Sequence, residues 1–151
     1  MIMIIIRKAV LSDASSITDF QLKMALETEG IFLDRETVSK GVNGVFKDTS
    51  RGQYYVAETG GKTVASLLVT GEWSDWRNSN VWWLQSVYVV PGYRRRGIFR
   101  EMYTFISKMA EDQDIAGLRL YVETGNKKAQ LTYKALGMSS GHYAFYEWMR
   151  K

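Results

Sequence analysis

The chain has 151 residues, about the size of one domain and enough to bury a core. Its apolar (46%) and charged (24%) fractions fit an ordinary globular protein, and a formal net charge of +4 favours anionic ligands without arguing for nucleic acid by itself. The absence of cysteine excludes disulfides, thiolate zinc sites and a cysteine nucleophile, and the single histidine, His142, argues against a metal cluster or a Ser/His/Asp triad.

The opening run MIMIII is apolar, but Arg7 and Lys8 end it far short of a membrane span of roughly 20 residues. No basic stretch precedes it, as a signal peptide requires. Residues 2–7 are expected to be the first strand of a cytoplasmic protein. Ser12 and Asp13 are helix-start residues. A first helix follows, with Ile17, Phe20 and Met24 on one face and Gly30 as its stop. Asp34 can cap a second helix, in which Val38, Val42, Val45 and Phe46 recur at helical spacing. Gly41 and Gly44 weaken it.

Residues 54–58 and 63–70 read as strands joined by a tight Gly60-Gly61 turn. After a second turn region, DWRNSN, residues 81–90 form a long run of aromatic and β-branched residues. Apolar groups on both faces predict a central strand. A third helix runs from about Arg95 to Glu111, with Ile98, Met102, Phe105, Ile106 and Met109 on its core face. GLRLYVET is another strand, Asn126 opens a helix that ends at Gly137, and HYAFYEWMR is the last strand. The strand–helix–strand unit 81–123 should pair its strands in parallel through a right-handed crossover. The expectation is one α/β (α+β) domain, residues 1–151, with a mixed sheet flanked by helices.

The junction PGYRRRGIFRE is where chemistry is expected. A helix N-terminus leaves four N–H groups without intrahelical partners, and the macrodipole adds to their attraction for an anion. This terminus directly follows the C-terminal end of the central strand, where ligands bind in open α/β sheets. Gly97 would let a phosphate approach the backbone. Arg94, Arg95 and Arg96 would add long-range attraction and bidentate contacts. The alternative is a solvated helix start. Cations there oppose the dipole by a few tenths of a kcal/mol, and a bound anion would make the arrangement favourable.

The run VYVVPGYRRRGIFREMY resembles motif A of the GNAT acetyltransferases, in which Q/R-x-x-G-x-G/A follows a strand often ending in V-x-P. Arg94 stands at the Q/R position and Gly97 at the first glycine, while Phe99 departs from the final small residue. A second run, NKKAQLTYKALGM, is similar to the family segment N-x-x-A-x-x-x-Y-x-x-x-G-F/M. Asn126, Ala129, Tyr133 and Gly137 occupy the matching positions.

The resemblance implies a GNAT fold: a mixed, mostly antiparallel sheet of about six to seven strands, flanked by helices, with a central parallel pair splayed at the cofactor site. It implies acetyl-CoA as acetyl donor, with its pyrophosphate on the backbone of Arg94, Arg95, Arg96, Gly97, Ile98, Phe99 and Arg100. Backbone groups of Val87, Tyr88 and Val89 would pair with the pantetheine arm like a strand. Asn126 would reach the pantetheine amides as well as capping its helix, with Ala129 in the same cofactor segment. Tyr133 would lie near the thioester sulfur and protonate the departing thiolate. It could equally be a core tyrosine, because Ala129, Tyr133 and Leu136 share a helical face.

Attack by an amine also needs a base. The central strand, WWLQSVYV, has no acid. Gln85, read as sharing the pocket-facing parity of Val87 and Val89, is an amide and cannot serve. Glu72 ends the preceding strand and Glu123 the next; either could act, directly or through water, or be a surface carboxylate. Trp73, Trp76, Trp82 and Trp83 crowd one hairpin, and half of them are expected in the core. Trp73 and Trp83, with Gln85, are candidates to wall an acceptor pocket, where Asp75 or Glu72 would attract a cationic amine. Helices 1 and 2 close the acceptor side in this fold, so Glu27, Glu29 and Phe32 are further candidates.

The expected function is N-acetylation of a primary amine by acetyl-CoA, by direct attack in a ternary complex and without a metal. The alternative is a non-catalytic acyl-CoA-binding or sensing module of the same fold. A nucleic-acid binder using the basic turn and aromatics is a third reading. Only four arginines cluster there, so neither a nucleic-acid nor a membrane partner is expected. The aromatic last strand could pair or pack across a homodimer.

Overall fold

The computed structural model describes residues 3–151; Ile2, expected in the first strand, lies outside the described residues. The chain divides into two compact units, one running through Tyr121 and the other Val122–Lys151. In the first unit β1 (Ile5–Lys8), β2 (Gln53–Thr59), β3 (Lys62–Ser74), β4 (Ser79–Val89) and β5 (Gly117–Arg119) form one sheet in sequence order. Neighbouring strands are antiparallel except β4 and β5, the expected parallel pair.

Alternation along the strands divides their apolar side chains between two faces. On one face, α1 (Ala14–Glu29) and α2 (Arg35–Lys47) meet Tyr54, Val56 and Leu68, with Ile17 and Val42 buried among them. On the other, α3 (Ile98–Asp112) packs on Tyr55, Ala57, Ala65, Leu67, Val69 and Leu84. Ile98, Met102, Ile106 and Ala110 make an i, i+4 row along α3, and all four are buried. Phe105, expected in that core, lies just off the row. It stays more than a third exposed and meets Tyr55 edge-on at 6.0 Å.

Local signals explain the helix ends. The Asp34 carboxylate accepts the Thr37 N–H at 2.9 Å and caps α2. Gly30, at φ 66°, ends α1 in a left-handed turn. Asp13 precedes α1 as expected, but its carboxylate turns away from the helix. It accepts both terminal nitrogens of Arg7, at 2.8 and 3.0 Å, and the Val10 N–H at 2.8 Å.

The second unit holds α4 (Lys127–Ala135) and no strand among its described residues. The sheet therefore has five strands, not six to seven. HYAFYEWMR, expected as the last strand, is irregular, and its Tyr143, Phe145, Tyr146, Trp148 and Met149 are 63–90% exposed. Aromatic alternation suits a strand, but a strand also needs a ladder partner for its backbone groups. GLRLYVET is shortened for the same reason, pairing only over Gly117–Arg119.

Candidate active site

β4 pairs with β3 as far as Val89, but with β5 only from Val81 to Trp83. Beyond Trp83 the β5-side edge of β4 has no ladder partner among the described residues. An edge of this kind can take an extended ligand as an added strand. A bulge lies in the same stretch. Ser86 sits at φ 53°, and the register shift leaves Ser86 and Val87 opposite Leu67 alone.

The extra residue reverses the alternation. Leu84 belongs to the α3-side core, and so do Val87 and Val89 beyond the bulge. Tyr88 faces α1, where its ring lies 5.2 Å from that of Phe20. Gln85 pairs across to Leu68 on the α1 side and donates to Thr70 Oγ1 at 2.9 Å. It therefore does not share the face of Val87 and Val89, contrary to the sequence expectation.

After β4 comes a short 3-10 turn, Pro91–Tyr93, then Arg95 at φ 64° and Gly97 at φ 76°. A side chain on Gly97 would meet open space, so the left-handed backbone alone demands glycine there. The first bond into α3 runs from the Glu101 N–H to the Gly97 carbonyl at 3.0 Å. The N–H groups ahead of it have no acceptor within the helix and lie at its positive end. Ile98 anchors this terminus in the core. Phe99 packs against the same core and meets Tyr103 edge-on at 6.3 Å.

The arginines of the turn behave differently from one another. Arg94 is tied down: its Nε donates to the Val89 carbonyl at 2.8 Å and its Nη2 to Glu27 Oε2 at 2.7 Å. Its guanidinium also lies 5.3 Å from the Tyr88 ring centre. Arg96 lies 5.5 Å from the Tyr93 ring, which Lys62 approaches to 5.8 Å. Arg95 and Arg100 are exposed.

A second cluster stands on the α1-side face, at the end of the β4–β5 pairing. Trp83 Nε1 donates to Glu72 Oε1 at 2.7 Å, and Arg119 Nη1 lies 3.1–3.2 Å from both Glu72 oxygens. The Tyr121 ring is 6.3 Å from that of Trp83. The Trp83 hydrogen bond, aided by that of Arg119 and its charge, outweighs the effect of desolvation. It holds the Glu72 carboxyl below the usual carboxylate range, which makes it a weak base. By strand alternation Trp83 and Gln85 share this face, whereas Trp73 stands on the opposite one and is 60% exposed. Trp82 packs on the α3-side core, and Trp76 is exposed at the hairpin tip. Arg119 and Tyr121 went unrecognised in the sequence, although their two-residue spacing in GLRLYVET already placed them on one strand face.

In the second unit the Asn126 side-chain oxygen accepts the Ala129 N–H at 3.2 Å, so Asn126 is the α4 cap. Lys127 and Lys128 are exposed, while Ala129 and Leu136 are half-buried. Tyr133 is half-buried too, and desolvation pushes its phenol above the ordinary tyrosine value. The exposed Glu123 folds back to accept the Gly125 N–H at 2.8 Å. Among the described residues no group of three or more His, Asp or Glu side chains could hold a metal ion, and no helix is long and apolar enough to cross a membrane.

A strand edge without a ladder partner, followed by a helix N-terminus, is an arrangement in which an α/β protein can take an extended ligand along the strand and an anion at the helix end. The chain belongs to the GNAT family of acetyltransferases: the model of the "Acetyltransferase (GNAT) family" matches residues 21–138. A solved structure of "a possible acetyltransferase from Clostridium difficile 630" is 42% identical and superposes with a TM-score of 0.90 over 98% of both chains. A "predicted acetyltransferase with acetyl-CoA" from Clostridium acetobutylicum shares the fold at 17% identity, with a TM-score of 0.75 over 99% of this chain and 96% of that one. The thialysine N-epsilon-acetyltransferase of Bos taurus is 38% identical over 65 residues, 43% of this chain. That match spans 38% of the bovine protein's length.

Proposed function

We propose that the protein is an acetyl-CoA-dependent N-acetyltransferase whose acceptor is a primary amine. The observation that carries this reading is the β4 edge, which among the described residues has no ladder partner over residues 84–89 and is followed, after the turn of residues 91–97, by the N-terminus of α3. It supports pairing of the pantetheine arm along Val87, Tyr88 and Val89, and pyrophosphate binding by N–H groups of residues 95–100. Asn126, Ala129 and Tyr133 are assigned to the pantetheine and thioester on their motif positions. The family match spans residues 21–138 and so takes in part of each compact unit, which supports reading residues 1–151 as one acetyltransferase domain. The name of the bovine relative, an N-epsilon-acetyltransferase, favours an alkyl amine as acceptor.

In the proposed reaction the neutral amine nitrogen attacks the thioester carbon in a ternary complex. A C–N bond forms and the C–S bond breaks. Tyr133 gives its phenolic proton to the departing thiolate, and its raised pKa keeps that proton in place beforehand. Glu72, held ionised by Trp83 and Arg119, suits attracting an ammonium group more than removing its proton. Glu123 is left as the base, acting through water.

The lack of any carboxylate on β4 favours one second reading, a non-catalytic acyl-CoA-binding module. Calorimetric titration with acetyl-CoA, followed by CoA release with a panel of amines, separates the two. Binding with turnover is expected. Binding that never leads to CoA release would leave the second reading standing, and no binding would remove both.

A further inference from the structure

We propose that Glu27 and Arg94 form a positioning clamp for the cofactor turn, so that Arg94 serves acetyl-CoA by fixing the turn to α1 rather than by touching phosphate. The inference rests on the acetyl-CoA reading above.

Arg94 sits between the end of β4 and the left-handed step at Arg95. Its side chain turns back along the strand. Nε holds the Val89 carbonyl at 2.8 Å, Nη2 holds Glu27 at 2.7 Å, and the guanidinium carbon lies over the Tyr88 ring, 5.3 Å from its centre. Glu27 completes the loop, because its other oxygen accepts the Tyr88 hydroxyl at 3.1 Å. Phe20, two turns earlier on α1, packs against the same Tyr88 ring. Three elements are thereby joined at one point: the last turn of α1, the end of β4 and the first residue of the turn.

The chemistry of the joint is specific to its residues. A guanidinium can hold a carbonyl and a carboxylate at once through separate nitrogens, which an ammonium cannot match in fixed geometry. A glutamine, the other residue of the motif's first position, could donate to the Val89 carbonyl but could not form an ion pair with Glu27. The clamp fixes the chain immediately before the N–H groups that are to face the pyrophosphate. A turn ordered in advance does not lose that conformational freedom on binding, so its affinity is higher. The pair is partly solvated, with side chains 44% and 38% exposed, so its effect should be modest.

Two roles for Arg94 predict opposite results when Glu27 is neutralised. If Arg94 binds phosphate directly, Glu27→Gln frees a cation and leaves acetyl-CoA affinity unchanged or tighter. If Arg94 is a positioning residue, affinity falls. The experiment is calorimetric titration of the full chain with acetyl-CoA for wild type, Glu27→Gln, Arg94→Gln and the double variant, each checked by urea unfolding. The expected result is a weakening of roughly two- to fivefold in each single variant, with the double variant no weaker than either. In steady state the KM for acetyl-CoA rises while kcat at saturation holds. Tyr88→Phe, which keeps the ring but loses the hydroxyl, should shift affinity in the same direction and serves if Glu27→Gln folds poorly. Unchanged or tighter binding by Glu27→Gln, or additive losses in the double variant, overturns the clamp. A wild type that does not bind acetyl-CoA overturns the underlying reading, and the clamp's role with it.

Discussion

Gly97 holds φ 76° with open space where a side chain would begin. Only backbone strain opposes a larger residue there. Gly97→Ala should therefore cost about 1 kcal/mol of stability and weaken acetyl-CoA binding, because the first N–H groups of α3 lose their fixed directions. Urea unfolding and calorimetric titration read the two effects; an unaltered affinity would show that the anion site does not depend on this geometry. Asp13 is a different kind of residue, a buried carboxylate held by Arg7, the Val10 N–H and, at 3.4 Å, the Thr63 hydroxyl. Burial alone would raise its pKa, but hydrogen bonds from Arg7 and the Val10 N–H outweigh burial and hold it below the usual value. A carboxyl depressed in the folded state adds stability above its unfolded pKa, and that stability is lost as pH falls through the folded value. The loss begins near pH 4, about where an unfolded aspartate titrates. Asp13→Asn should cost about 2–3 kcal/mol at neutral pH and distinctly less near pH 3. Urea midpoints at the two pH values test this, and equal costs at both would assign the effect to shape rather than charge.

At the scale of elements, the bulge in β4 decides which residues can meet. Ser86 carries a left-handed backbone that glycine would adopt without strain. Ser86→Gly should be stabilising by about 0.5–1 kcal/mol with the register kept, whereas Ser86→Val should be destabilising. Denaturant unfolding of both variants decides; a glycine variant less stable than wild type would show that the serine side chain matters more than its backbone. The bulge also shows where sequence reading stopped. Apolar residues on both faces of 81–90 sufficed for a central strand, and Asp34 and the spacing of Ile98, Met102 and Ile106 sufficed for α2 and α3. Nothing in an ordinary serine marks one extra residue, yet that residue reverses every face after it and moves Gln85 away from Val87 and Val89. The last strand failed for a related reason: alternation is local, but a ladder partner is not. Gly97 and the Asn126 cap were each legible because a left-handed turn and a helix N-cap favour those residue types. The Arg119 partner of Glu72 and the Glu27 partner of Arg94 were not, since they lie 47 and 67 residues away in the chain.

For the whole molecule the question is how much of the cofactor affinity is general electrostatics. The chain carries a formal charge of +4, and CoA is polyanionic. Exposed charges act over a Debye length and are screened by salt, whereas N–H groups at a helix end act at contact. Arg95, Arg96 and Arg100 are exposed and belong to the first kind. Replacing all three with glutamine should slow acetyl-CoA association and flatten its dependence on salt, with a loss in affinity of about tenfold or less at physiological ionic strength. Ligand stabilisation supplies an independent reading. At a hundred times the dissociation constant, acetyl-CoA should add about 2.7 kcal/mol, or roughly 5–10 °C in Tm for a chain of this size. That shift depends on saturation and not on which groups provide the affinity. The triple variant, compared at the same multiple of its own dissociation constant, should therefore show the wild-type shift. Stopped-flow association across a salt series and scanning calorimetry make the two measurements. A triple variant with no thermal shift at high acetyl-CoA would place the pyrophosphate on the arginine side chains instead of the N–H groups.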